Sequence, residues 1–170
     1  KAVDKRRPSY QENVYSYHYG NVKMICFNNN YWYASNPSET GGAPEGYIFD
    51  DQLQWIEKEL TSAQKDPKVK HVFLYAQEPV FPCGGHVKDA MWYNGDNSKR
   101  AGSYDVKKKK VVMEDKGIVE VRNKLLKIIT SSSKVVAVLN ADEHAYYRLY
   151  VDKYVPIGSI ERDDKNGDQK

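Results

Sequence analysis

The run Val135-Val136-Ala137-Val138-Leu139 constrains this chain most, because five consecutive apolar, mainly β-branched residues predict a strand buried in a sheet. It passes directly into Asn140-Ala141-Asp142-Glu143-His144-Ala145-Tyr146-Tyr147-Arg148, so acidic and imidazole groups stand at the strand's carboxyl end. That edge is where α/β proteins place their chemistry. A second run, His71-Val72-Phe73-Leu74-Tyr75, ends the same way in Ala76-Gln77-Glu78-Pro79. Two strand ends bearing ligand-type residues define a site hypothesis.

The remaining elements follow from period and punctuation. Val14 to Tyr19 alternates, Gly20-Asn21 supplies turn chemistry and Val22 to Phe27 reads as a second strand, which predicts a hairpin. Residues 35–46 read as a Pro-, Gly- and Ser-rich loop. Asp50 or Asp51 is expected to cap a helix with Leu53, Ile56 and Leu60 on one face, stopped at Asp66-Pro67. A strand is expected over 70–76, then a long excursion from Pro79 to Lys116. Ile118, Val121, Leu125 and Ile128 recur at helical spacing, and Ser131-Ser132-Ser133 separates that helix from the strand over 134–139. Tyr146 to Val151 and Tyr154 to Ile157 are expected to form paired strands, and the Tyr31-Trp32-Tyr33 alternation suggests a further strand face. The sum is α/β: a mixed β-sheet with flanking helices. Residues 1–12 read as a linker or edge segment, 13–158 as the folded part and 159–170 as a charged tail.

A length of 170 residues suffices for one compact domain with its own core. The net charge of +3 argues against nucleic-acid binding, and Lys107-Lys108-Lys109-Lys110 reads as a solvated loop or hairpin. No window approaches the ~20 apolar residues of a membrane span. Cys26 reads as a buried small hydrophobe and Cys83 as a loop thiol, with a disulfide between them left open. His18 and His71 fall inside strand patterns.

The segments at 76–79 and 141–144, with Val14–Val22, Met24–Asn28, Asp51–Ile56 and Gly84–Trp92, resemble the C-terminal half of calcineurin-like metallophosphoesterases. Ala76-Gln77-Glu78-Pro79 is similar to that family's Gly-His-x-Pro, and Ala141-Asp142-Glu143-His144 to its Gly-Asp-Glu-His. The resemblance implies half of a layered αββα sandwich, with an uncovered apolar face and an unpaired sheet edge. It also implies divalent metal ions (Fe, Zn, Mn, Mg or Ca) and a phosphate-ester substrate hydrolysed by a metal-bound hydroxide. The family's Asp-x-His, Gly-Asp-x-x-Asp and Gly-Asn-His motifs are not found, and the chain opens at Lys1 without Met. The resemblance therefore implies the C-terminal portion of a longer or split chain, partnered by a missing N-terminal half and inactive alone. The complete protein is then expected to be an enzyme, with a lean toward a periplasmic or extracellular location. A degenerate, non-catalytic binding or structural module is the alternative.

His144 is the first metal candidate, since neutral imidazole binds borderline divalent ions; the competing role is a loop histidine bonded to a carboxylate. Asp142 is a ligand, a group orienting His144, or an Asx turn residue. Gln77 stands where the family has a metal histidine, and its amide suits harder cations; Glu78 is the charged alternative beside it. Those departures leave a site altered in metal preference, reduced to one metal, or dead. His86 and Arg148 are candidate catalytic groups near a phosphate, against an exposed loop histidine and a structural ion pair. Asn28 reads as a strand terminator.

Overall fold

The computed structural model describes residues 4–152 and 154, so all of the expected strand over 154–157 but Tyr154, and the tail over 159–170, lie outside the described residues. Tyr15–Tyr19 (β1) and Val22–Cys26 (β2) form the expected hairpin, with Tyr19 opposite Val22 and Gly20 at φ 58° in the turn. Glycine meets that left-handed requirement without a steric cost. His71–Ala76 (β3) pairs parallel to β2, and Val135–Asn140 (β6) pairs parallel to β3, with a register shift between Val72 and Phe73. The sheet order is β1-β2-β3-β6, a mixed sheet with three parallel strands. A separate hairpin, Gly102–Asp105 (β4) with Lys110–Met113 (β5), occupies the excursion and carries the lysine run at its turn.

Helix Asp50–Lys65 (α2) connects β2 to β3, and Ile118–Thr130 (α3) lies between β3 and β6. A one-turn helix, Pro37–Thr40 (α1), interrupts the expected 35–46 loop. Right-handed crossovers that step in one direction across a sheet leave both helices on one face. Ile25, Leu74, Leu53, Ile56, Leu60, Val121 and Leu125 form the core there, all at most 2 % exposed. Full burial of each such side chain stabilises the fold by about 1.5–3 kcal/mol.

Several local details depart from expectation. Phe49, not Asp50 or Asp51, is the N-cap of α2; Asp50 instead pairs with Lys116 (2.5 Å) and Lys124 (3.1 Å). The N-cap of α3 is Gly117, which has no side chain to cap with, so Asn97 takes that role from a distance. Its Oδ1 accepts the Val119 and Glu120 N–H groups at 3.1 Å. Residues 146–151 are coil and exposed or half-buried; the Tyr/Leu alternation has no partner strand, and β propensity without cross-strand neighbours does not make a ladder. Tyr31 and Trp32 likewise lie in turns and pack against Phe49.

The sheet face away from the helices is open. Register places Tyr15, Cys26 and Tyr75 in one row and Tyr17, Met24 and Phe73 in the next on that face. Tyr15, Tyr17 and Tyr19 are 43, 46 and 82 % exposed, so this side is solvated aromatic surface, not core. Cys26, expected to be buried, is half-buried for the same reason, and both cysteines are free. His18 and His71 are exposed. The described residues thus show α/β architecture with a mixed sheet and flanking helices, and no second layered sheet among them. No helix among them is long and apolar enough to cross a membrane.

Candidate metal centre

Parallel strands β2, β3 and β6 all end at the same edge, which brings Asn28–Asn30, Gln77-Glu78 and Ala141-Asp142 together. Glu78 is the first residue past β3 whose side chain turns inward, and it is fully buried while Gln77 beside it is exposed. Alternation along an extended backbone sends neighbours to opposite sides, so only one of that pair can enter the site. The backbone of Glu78 is held on both sides by Asn29: its N–H donates to Asn29 Oδ1 (3.1 Å) and its carbonyl accepts from Asn29 Nδ2 (2.8 Å). Asn140 Nδ2 donates to the same carbonyl at 2.8 Å. Asn30 Nδ2 donates to Glu78 Oε1 at 3.3 Å, whereas Glu78 Oε2 is buried with no hydrogen-bond partner. Asn28, expected only to end a strand, also clamps Gln52 through two backbone hydrogen bonds.

Asp142 is the second residue beyond β6. Ala141 donates its N–H to Gln77 O (2.9 Å), tying the two strand ends, and Glu143 N–H donates back to Ala141 O (2.8 Å). Asp142 therefore sits at the centre of a γ-turn with φ 67°, the rarer and strained of the two γ forms. The turn presents the Asp142 carboxylate to His86, whose Nδ1 is 3.1 Å from Oδ2. His86 belongs to a 3-10 turn over Gly84–Lys88, and Cys83 N–H fastens that turn to Glu143 Oε1 at 2.6 Å. Glu45 comes from the loop after α1, where Gly46 at φ 80° lies against the Ala90 backbone.

Among the described residues, Glu45, Glu78, His86 and Asp142 form one group whose ligand-type atoms all lie within 4.8 Å of one another. Divalent ions bind oxygen and nitrogen at about 2.0–2.6 Å, so ligands across one ion are separated by roughly 4–5 Å. The spacing fits a single ion. Sequence reasoning named Glu78, His86 and Asp142, although His86 as a phosphate-contacting group. Glu45 was missed, and a lone glutamate in a Pro/Gly/Ser-rich loop carries no signal that would have found it. Gln77 and His144 lie outside the group and are exposed: Gln77 by strand alternation, His144 because the γ-turn spends itself on presenting Asp142. Arg148 is exposed on the coil beyond and also lies outside the group.

The electrostatics follow from crowding acids out of water. Burial, then the neighbouring charges of Glu45 and Asp142, push the Glu78 carboxyl up to about 8. Burial and the charges of Asp89 and Asp142 raise Glu45 as well. The charge of Glu45 therefore favours the protonated form of Glu78 when no cation is bound. Desolvation opposes the His86 imidazolium, but its hydrogen bond to Asp89 and the Asp142 charge outweigh that and raise its pKa.

No family model and no curated protein matches the chain. Among solved structures it is similar to one described as an enoyl-CoA hydratase/isomerase from Acinetobacter baumannii. The likeness has a TM-score of 0.34 and 19 % identity over 75 % of this chain and 40 % of that chain. The chain thus spans two-fifths of that neighbour's length. No comparison supports the calcineurin-like resemblance, and the phosphatase or phosphodiesterase activity and the phosphate-ester substrate are withdrawn with it. At that TM-score the neighbour's own fold and activity are not transferred to this chain either.

Proposed function

We propose that this domain binds one divalent cation through Glu45, Glu78, His86 and Asp142. The observation that carries the reading is Glu78: a fully buried carboxyl whose Oε2 has no hydrogen-bond partner yet stands among two more carboxylates and an imidazole. An unpaired carboxylate in such surroundings is costly to keep, and a bound cation removes the cost. Three carboxylate oxygens and one nitrogen suit Mn²⁺, Fe²⁺ and Zn²⁺, with Mg²⁺ and Ca²⁺ served by the oxygens alone. Such an ion would acidify a bound water, the chemistry on which metal-dependent hydrolysis and hydration draw. The chain's own contribution is positional: Asn29 and Asn30 set Glu78, the γ-turn sets Asp142, and the Cys83–Glu143 bond holds the His86 turn over them.

The test is titration calorimetry on chelator-treated protein with Mn²⁺, Zn²⁺ and Ca²⁺. One equivalent of ion is expected to bind, with affinity at least tenfold lower in Glu78→Gln. The absence of saturable binding of any of the three at millimolar ion refutes the reading.

A further inference from the structure

We propose that Asp89 is a positioning residue that sets which cation this site prefers, by holding His86 in one tautomer and orientation. The inference rests on the cation-binding reading above. His86 is the only nitrogen donor of the four ligands, so discrimination between imidazole-seeking and oxygen-seeking ions depends on it.

A neutral imidazole has one N–H and one lone pair. His86 Nδ1 lies 3.0 Å from Asp89 Oδ1 in hydrogen-bonding geometry, and in the inferred tautomer Nδ1 donates to that carboxylate. Asp142 Oδ2 is equally near at 3.1 Å but has no hydrogen-bond partner, which leaves Asp89 as the acceptor. In that tautomer the lone pair is on Nε2, the nitrogen through which His86 would bind the ion. Asp89 is itself held in place. Its N–H donates to His86 O (3.3 Å), and its carbonyl accepts from Trp92 and Tyr93 N–H groups, both at 3.1 Å. Trp92, 3 % exposed, lies under the buried Arg122 guanidinium at 4.2 Å, so the loop that carries Asp89 is anchored in the core. A carboxylate that orients a metal-binding histidine through its other nitrogen typically contributes 10–100-fold in metal affinity.

Zn²⁺ takes imidazole readily, whereas Ca²⁺ takes oxygen ligands and draws on the carboxylates. Loss of the Asp89 charge weakens both ions through long-range electrostatics, but loss of the His86 orientation weakens only Zn²⁺. The ratio of the two affinities isolates the positioning role from a merely structural or electrostatic one.

The experiment measures Zn²⁺ and Ca²⁺ affinities of the full chain by calorimetry with a competing chelator, for the wild type, Asp89→Ala, Asp89→Asn and His86→Ala. Asp89→Ala is expected to lower Zn²⁺ affinity 10–100-fold with Ca²⁺ within about threefold. Asp89→Asn, whose amide oxygen still accepts from Nδ1, is expected to keep the wild-type ratio. In a His86→Ala background, adding Asp89→Ala should leave the ratio unchanged. Equal losses for both ions in Asp89→Ala, or none, overturn the proposal while leaving the cation site standing. A wild-type chain that binds neither ion refutes the cation reading itself, a distinct result.

Discussion

Replacing Glu78 by glutamine removes a charge from the centre of the site and keeps its shape, and its effect is expected to change sign with pH. Folding moves the Glu78 carboxyl from 4.5 to about 8, through burial and then the charges of Glu45 and Asp142. The folded state therefore favours the neutral acid. Below pH 4.5 both folded and unfolded chains are protonated and no penalty exists. As pH rises above 4.5 the unfolded chain gives up its proton first, so stability falls, and the loss levels off only above about 8. At about 1.4 kcal/mol per tenfold change in proton affinity, the wild type has lost roughly 3 kcal/mol by pH 7 and on the order of 5 kcal/mol by pH 9. Glutamine carries no such penalty. It also retains an oxygen to accept from Asn30 Nδ2 and gains an N–H₂ to donate to Glu45.

Urea unfolding followed by circular dichroism, with chelator present at pH 5, 7 and 9, reads this directly. Glu78→Gln is expected to match the wild type within about 1 kcal/mol at pH 5 and to exceed it by several kcal/mol at pH 9. Mn²⁺ should narrow the gap at pH 7. At a hundred times the wild-type dissociation constant the ion adds about 2.7 kcal/mol to the wild type and roughly 1.4 kcal/mol to a variant that binds it tenfold more weakly. All other titrating groups are common to both proteins, so their difference belongs to Glu78 and its neighbours. A difference that stays constant within about 0.5 kcal/mol from pH 5 to 9 would refute the reasoning, because Glu78 would then be an ordinary solvated acid.

Two further outcomes test the surrounding structure. Asp4 accepts from Arg6 Nη2 (2.8 Å) and from the N–H groups of Arg6 and Tyr104 (3.0 and 2.6 Å), and the Arg6 side chain foremost holds its carboxyl well below the usual range. That stability is present above about pH 4 and lost as pH falls, so Asp4→Asn should cost about 1–3 kcal/mol at pH 7 and progressively less in acid, read as urea midpoints across pH 2–7. Gly46 has φ 80°, and a Cβ there would overlap the Ala90 carbonyl, so Gly46→Ala should cost about 2–4 kcal/mol and lower the thermal midpoint. Because Gly46 sets the path of Glu45, the same variant should bind Mn²⁺ more weakly, as calorimetry would show; a stable variant with wild-type affinity would dissociate Glu45 from the site.

Period and punctuation made the sheet legible. The apolar runs before Gln77-Glu78 and Ala141-Asp142 predicted two strand ends at one edge, and the helix over 118–130 followed from Ile118, Val121, Leu125 and Ile128. What they left undecided was phase. Alternation says that Gln77 and Glu78 face opposite ways, but which of them faces in depends on where the covered face of the sheet lies, a long-range fact. At the second strand end both Asp142 and His144 were candidates, the γ-turn brings Asp142 into the group, and nothing in Asp-Glu-His spacing encodes a φ of 67°. Glu45 was out of reach altogether, since its place depends on a backbone contact between Gly46 and Ala90, 44 residues on. The tyrosines at 146–150 failed in the opposite direction: their alternation is real, but a strand needs a partner, and these residues run as coil although β6 ends the sheet with an edge unpaired among the described residues.

The arrangement around Glu78 is difficult to account for as stability alone. A carboxyl that only braced the β3 end could be replaced by a neutral side chain without losing the Asn29 and Asn140 bonds, because those are made to its backbone. The side chain adds one 3.3 Å bond from Asn30 and one oxygen with no hydrogen-bond partner, at a cost in proton affinity that the fold carries at neutral pH. Asp142 repeats the pattern, with a strained backbone and a buried oxygen that no donor satisfies. Two elements that each lose stability to point unsatisfied oxygens at a common space are consistent with a ligand that repays both, and a divalent cation is a ligand that does so. On that reasoning, Glu78→Gln combined with Asp142→Asn should give the most stable cation-free form of this protein at pH 9, and the one least able to bind a metal.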